Sequence, residues 1–461
     1  LSAHILHAGD DNRGMEVDST VYRVRYGNSY GWLNWEADFG SALSARTVAS
    51  LGRVAQDREG TDFADLPEVR VDDENTTWIL ALRQDWRYRQ SPRMMLKWGF
   101  DLRRSTADYD YDRTSFGYIP NFTDPTGPDM WPMHDSVAVD LSRSGYEAGA
   151  YVADRIQLTD DLTVEAGLRY DHQSLTGERQ VSPRLSAAFS LTPRTTLRGA
   201  WGHYQQSHAL HELWAADRDT TVYPAQKAEH RIVGLEHRFG NGYALRLEAY
   251  QRRLSDPLPE YRRIARNMGT LWEEQLDDRI FVQPERGRAE GLELFLKSPP
   301  DRRLVWSGSY ALSRVEEEVE GRWVPRPFDQ RHAVNLQVAF RPTPDWTIAA
   351  GWIYHSPWPY TEVEYHYAET IHGEPVAIHY AGVLNQARMI PYKRVDFRAS
   401  RRLRLVRNDV LLYLDVFNVL NWENALEFEQ YARWTGSGWV PKQELFPQLW
   451  IMPSLGARVT F

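Results

Sequence analysis

The chain has no cysteine, no apolar run approaching a membrane-spanning helix, and no basic surplus. Each absence removes a class of protein. Without cysteine there is no disulfide framework, no cysteine zinc site and no thiol nucleophile. A helical span needs about 20 mainly apolar residues, and none occurs in the 461. The 54 Lys+Arg stand against 63 Asp+Glu, net −9, which argues against a nucleic-acid partner, because phosphates require a basic face. Gly (30) and Pro (25) are near average, so the chain is neither collagenous nor of low complexity. No serine elbow, phosphate loop or dinucleotide fingerprint is present. His208, His211 and Glu212 read H-A-L-H-E, not the zinc-peptidase order H-E-x-x-H. The sequence predicts neither an enzyme nor a resident cofactor.

What the chain does have is aromatics, 18 Trp, 24 Tyr and 16 Phe, and strict alternation. In 162–171, Leu162, Val164, Ala166, Leu168 and Tyr170 share one face, and Thr163, Glu165, Arg169 and Asp171 the other. Segments 94–103 and 243–252 repeat the pattern. Period two over about ten residues is a strand with one apolar and one polar face. A soluble sandwich shows alternation too, but its strands are usually about five or six residues long. Seventeen strands are predicted, the first near 28–39 and the last near 451–461. Every second connection is a tight turn, such as 40–42, 240–242 or the slightly longer 404–407; the others are mostly long, notably 56–75, 109–146, 207–227, 255–286, 358–390 and 420–450. One trimmed rim and one elaborated rim are how outer-membrane barrels are built, with short periplasmic turns and long extracellular loops. The fold class is therefore all-β, a transmembrane antiparallel β-barrel.

The last strand follows a long loop and so descends toward the short-turn side. Parity then makes 28–39 descend as well, and an even-numbered barrel requires at least one ascending strand before residue 28. Residues 1–27 read as the tail of an extracellular loop, with 28–461 as barrel; alternatively, 18–26 is the ascending strand and completes eighteen. Leu1 follows no initiator Met and opens no apolar signal core, which reads as a removed leader or a fragment.

Several segments resemble the barrel of TonB-dependent outer-membrane receptors: GAYVADRIQLTDDLTVEAGLRYDHQ (149–173), SPRLSAAFSLTPRTTLRGAWGHYQQ (182–206), QKAEHRIVGLEHRF (226–239), GRAEGLELFLKS (287–298), FDQRHAVNLQVAF (328–340) and YLDVFNVLNWEN (413–424). Phe461 resembles the C-terminal assembly signal of such barrels. The resemblance implies a 22-stranded barrel, of which seventeen strands are visible, around an N-terminal plug with no counterpart here. It implies uptake of a scarce nutrient (ferric siderophore, cobalamin, glycan or peptide) across the outer membrane of a Gram-negative bacterium. The implied partners are outer-membrane lipid and lipopolysaccharide, the barrel-assembly machinery through the last strand, the TonB complex through the plug, and a small-molecule ligand. A passive 18-stranded porin using 18–26 is the second class. A soluble β-propeller is the third, but its repeats of about 40–50 residues are not found.

The candidate ligand contacts lie in 358–390: Trp358, Tyr360, Tyr365, His366, Tyr367, His372 and His379, with Tyr380 beside them, whose rings suit stacking on a sugar or chelate. Packing of the loop on its own aromatics is the competing reading. Asp108, Asp110 and Asp112 alternate as in half a calcium loop, but Arg113 stands where that loop needs Gly. Lumen-facing charges of both signs, among them Arg83, Asp85, Lys97, Asp101, Arg169, Asp171, Arg246 and Glu248, read as mutually compensating, since an ion-selective pore would show a ring of one sign. Trp35, Phe39, Trp78, Trp86, Trp98, Trp201, Trp306, Trp346 and Trp352 suit interfacial girdles. The long loops are acidic: 56–75 carries eight acids and two bases.

Overall fold

The computed structural model describes every residue except 17–19, 63–67, 264–278, 405–408 and 461. In chain order the wall begins with β1 (Ser2–Glu16), β2 (Thr20–Phe39), β3 (Leu43–Asp62), β4 (Glu68–Ser91), β5 (Met94–Pro120) and β6 (Met130–Gln157). It continues with β7 (Leu162–Gln173), β8 (Arg179–Thr192), β9 (Thr195–Gln206), β10 (Gln226–Arg238) and β11 (Ala244–Ser255). β12 (Glu260–Arg263) and β13 (Arg279–Val282) pair with each other before β14 (Arg286–Lys297) and β15 (Leu304–Val319) resume the wall. The short β16 (Arg322–Pro325) folds back on the tip of β15, and β17 (His332–Phe340) and β18 (Trp346–His355) follow. Four short strands come next, β19 (Pro359–Tyr360), β20 (Val363–Glu369), β21 (Pro375–Ala381) and β22 (Ala387–Arg388), as two small sheets. β23 (Tyr392–Arg404) and β24 (Asp409–Phe417) return to the wall. β25 (Ala425–Trp434) and β26 (Trp439–Pro447) pair outside it, and β27 (Met452–Thr460) completes it.

Every wall strand pairs antiparallel with its neighbours in sequence, giving one sheet of nineteen strands with β16 included. All seventeen predicted strands are present. The register assigns their faces. Trp78, Leu80 and Leu82 of β4 stand in rows with Leu51 of β3 and Leu102 of β5 on the outward face, all five side chains exposed, as a lipid-facing wall requires. Phe39, Trp86 and Trp98 stack in series near the short-turn rim, centroids 6.0 and 6.1 Å apart. Gly40 (φ +73°) and Gly242 (φ +87°) supply the left-handed backbone of two of the tight turns.

Curvature follows from one contact. The β5–β6 and β18–β23 connections are ten strands apart along the sheet, which at about 4.8 Å per strand would be roughly 48 Å if flat. Yet the Ile371 N–H donates to the Asn121 carbonyl at 2.8 Å. The sheet must curl for these loops to meet. Among the described residues no ladder joins β1 to β27.

The N-terminal expectation is corrected. Residues 1–27 are not a loop tail: β1 pairs residue by residue with β2 from Ser2↔Asn34 to Glu16↔Thr20. The required ascending strand is thus 2–16, and 20–26 is the outer part of descending β2, so 18–26 is not that strand. β1 escaped notice because its outward apolar run is only Leu1, Ala3 and Ile5. Loops 56–75 and 109–146 shrink likewise, since β3–β6 continue as ladders far past the lipid-facing rows. At the end of β3 both faces are charged, and in β4 and β5 the sense of alternation reverses, with Val69, Val71, Tyr109 and Tyr111 inward and the acids outward. Phe461 and the turn after Arg404 lie outside the described residues. The helical elements among the described residues are two three-residue 3-10 turns, Leu210–Glu212 and Ala215–Asp217; no helix is long and apolar enough to cross a membrane.

Candidate functional site

Burial concentrates at the extracellular rim. Above the lipid-facing rows, the inward faces of β4, β5 and β6 present Val69, Val71, Ala107, Tyr109, Tyr111 and Val137, and onto them fold Leu210, Leu213 and Ala215 of the 207–225 loop. Burying that apolar surface seats the loop. Polar contacts fix its position: the Tyr109 hydroxyl donates to the Leu210 carbonyl at 2.6 Å, and Arg143 donates to the Thr220 carbonyl at 2.8 Å. Arg218 pairs with Asp135 at 2.7 Å, and its hydrogen bond holds that carboxyl below the usual carboxylate range. Burial pushes the Tyr109 phenol up to about 12. His208, 2% exposed, accepts from the Tyr223 N–H and packs against Trp214; it serves the loop's own packing.

Opposite, four rings form a series at the extracellular ends of β18 and β23. His355 stacks on Tyr392 at 4.8 Å with planes 1° apart and on Trp358 at 4.8 Å, and Trp358 meets Phe328 edge-on at 5.2 Å. Phe328 holds φ at +65°, a left-handed conformation costing about 1–3 kcal/mol for a bulky residue. Asp329 holds it there: its buried carboxylate accepts from the Val315 N–H and from Arg388, both at 2.8 Å. The Trp358 indole N–H is buried without a partner.

The predicted contacts are dispersed rather than gathered. Trp358 belongs to that ring series. Tyr360 is 7% exposed, packs on Phe428 and accepts from Gln443 at 3.0 Å. In the β20–β21 hairpin, Tyr365 and Tyr367 share one face with His379, whereas His366 packs against Tyr380 on the other; burial raises the Tyr365 phenol to about 12. His372, at the hairpin tip, forms part of a clasp. Its ring hydrogen-bonds the Gly127 carbonyl at 2.9 Å, its N–H donates to Asp129 at 3.3 Å, and Thr370 donates to the same carboxylate. Loops from opposite sides of the wall therefore join above the interior.

Asp108, Asp110 and Asp112 face outward, away from this space, and Asp108 accepts from Ser142 at 2.6 Å. Among the described residues no group of three or more His, Asp or Glu side chains could hold a metal ion. On the lumen side, Arg83 pairs with Asp85 at 2.9 Å, Lys97 with Glu165 at 2.7 Å, Arg169 with Asp101 at 2.8 Å and Asp171 at 2.6 Å, and Arg246 with Glu248. They line, in part, a charged cavity of about 1280 Å³ on the β2–β8 wall. The wall from β14 to β24 carries an apolar one of about 760 Å³, with Phe295, Val305, Ala339 and Phe417. Sequence reasoning missed Phe328, His355, Tyr392, Asp129 and Thr370. The only local cue was an aromatic directly before Asp329 at the start of a strand.

An antiparallel wall, apolar outside, charged and cavity-bearing inside, with loops meeting over one end, defines an outer-membrane barrel. The family described as "TonB dependent receptor-like, beta-barrel" matches residues 6–419, and the chain belongs to it. It is a protein of the bacterial outer membrane. Among solved structures it is similar to the ferric citrate transporter FecA in its unliganded form (12% identity, 99% of this chain and 70% of that one, TM-score 0.59). It is also similar to the ferric-catecholate import receptor Fiu from E. coli K12 (15%, 96% and 65%, 0.59) and to the ferric yersiniabactin uptake receptor FyuA from Yersinia pestis (14%, 97% and 63%, 0.60). At such identities the likeness is one of fold, and the chain spans 63–70% of those proteins. No curated protein sequence matches it.

Proposed function

We propose that this chain is the barrel of a TonB-dependent importer whose cargo is an iron chelate, captured beneath the clasped loops and passed through the lumen. The family match over 6–419 carries this reading. It is supported by the Phe328–Trp358–His355–Tyr392 ring series, on which a flat or ring-bearing chelate gains stacking, and by the cavity of about 580 Å³ that His355 lines with Tyr310 and Tyr354. The similar structures are named for ferric citrate, ferric catecholate and ferric yersiniabactin, each said of that protein. Energy input comes from the TonB complex through a plug in this reading, and the last strand is the address read by the assembly machinery.

The passive porin is not favoured: the family matched over 6–419 is that of the TonB-dependent receptor barrels. The test is uptake of radioactive iron in cells producing the full-length protein, with a panel of ferric chelates. Uptake that needs one chelate, needs TonB and falls when Trp358 and Phe328 are replaced by alanine is the expected result. Iron entry that is unaffected by loss of TonB, with solute flux in liposome swelling, would return the porin.

A further inference from the structure

The outward face above the lipid rows is not uniform around the wall. On β14 and β15, Leu292 and Leu312 are the last apolar pair of the outward ladder. The next outward rows are Glu290↔Arg314, then Arg288↔Glu316, then Arg286↔Glu318, with Arg253 of β11 directly across from Arg288. No register shift interrupts either ladder, so these side chains point the same way as the leucines. Trp323 of β16, opposite Glu318, lies on this face too. The Arg288 guanidinium sits 4.2 Å from the centre of its ring and that of Arg286 5.6 Å. Arg288 also pairs with Glu316 at 2.6 Å, Arg286 with Glu318, and Arg314 with Glu316.

The glutamates hold the arginines in place but do not exhaust them. Each guanidinium has about five N–H donors in a planar fork, and the Arg286 side chain remains 61% exposed and that of Arg314 41%. At about 3.3 Å per residue and a strand tilt near 40°, the Arg314 and Arg288 rows stand roughly 5 and 10 Å above Leu292. That is the level of lipid headgroups. A planar cationic fork braced on an indole is suited to phosphate oxygens.

We propose that Arg253, Arg286, Arg288 and Arg314, with Trp323 as platform, form a docking surface for the phosphate of an outer-leaflet glycolipid. The surface lies outside the barrel and does not depend on the transport reading. Its contrast is the equivalent outward face of β3–β5, where Asp57, Glu59, Asp72, Glu74, Asp108, Asp110 and Asp112 stand in adjoining rows and would repel the same phosphate.

The test uses the full chain purified in detergent, stripped of lipid and titrated with bis-phosphorylated lipid A, bound lipid being counted by native mass spectrometry. Arg286→Gln with Arg288→Gln is expected to weaken binding about tenfold or more, the loss of charge-assisted bonds worth more than 1.4 kcal/mol. Trp323→Leu, which leaves the ion pairs in place, is expected to weaken it severalfold. Arg104→Gln, outward on β5 at the acidic side, leaves binding unchanged. Heat-modifiable migration confirms folding; should the double variant fail it, Trp323→Leu and the lipid comparison on the unaltered chain decide. Equal binding of dephosphorylated lipid A, or full binding by Trp323→Leu, would each overturn the proposal.

Discussion

β2–β6 run 20 to 28 residues, whereas β17, β18, β23, β24 and β27 run 9 to 13. A tilted strand crosses a membrane in about 9–11 residues. The first side therefore carries its ladder far into the extracellular space, and the second stops near the surface and hands over to separate two-stranded sheets. The two sides also hold their loops differently. On the tall side an apolar inner face receives Leu210 and Leu213. On the side of β15, β12 is held by charge: Arg262 donates two bonds to Glu317, whose side chain is 2% exposed, and Arg326 bridges Glu317 and Glu260. A tall ladder supplies a broad surface on which an ordinary hydrophobic contact suffices. A short one supplies only edges and tips, where anchorage depends on directional pairs.

The largest expected effect tests the tall side. Tyr111, 1% exposed, lies in the middle of the apolar seam, and Tyr111→Ala should cost about 3–5 kcal/mol there. Limited proteolysis should then cut within 207–225 while β12–β13 stays protected; cutting at both places would erase the distinction. Second is Glu317→Gln, which removes one of the two carboxylates paired with the Arg262 guanidinium, 11% exposed, and leaves it Glu260 alone. Breaking a buried pair from one end costs about 3 kcal/mol or more, read as faster amide exchange in β12 with the 207–225 loop unaffected. Third is the clasp between the sides. Asp129→Ala removes the acceptor for Thr370 and the His372 N–H, and a charged acceptor is worth about 1.5–3 kcal/mol. Exchange at Ile371 and Gly373 should rise by about tenfold or more; unchanged exchange would mean that the loops meet without holding each other.

Where alternation is apolar against polar, the fold was legible: Leu80, Leu82, Leu102 and Leu292 mark their strands from sequence, and Gly40 and Gly242 mark turns. Legibility ended where the sheet leaves lipid. In 56–62, Asp57 and Glu59 face outward and Arg58 inward to Asp73, so both faces are charged and the period vanishes although the ladder continues. The candidate site was legible only in part. Trp358 was found because aromatics crowd its loop, whereas Phe328 and Asp129 are 30 and 229 residues from it. What joins Asp129 to Thr370, 241 residues apart, is the curl of the wall, and no local pattern encodes it.

The smallest effect is a titration that separates the seam's hydrogen bond from its packing. The Tyr109 hydroxyl lies above the lipid rows and, as the neutral phenol, donates to Leu210. Its ordinary value is 10.0 and burial raises it to about 12. A raised folded value means that the stabilisation is complete below pH 10 and is lost as pH climbs from 10 toward 12. The loss is at most about 1.4 kcal/mol per pH unit. Protection of amides in 209–215 should fall over that window, relative to amides in the lipid-facing ladder. Tyr109→Phe keeps the ring in the seam and removes the hydroxyl, so it should lower protection by about 1 kcal/mol at neutral pH and abolish the alkaline slope. If the slope persists in Tyr109→Phe, another group controls the loop, and the seam on β4–β6 is held by packing alone.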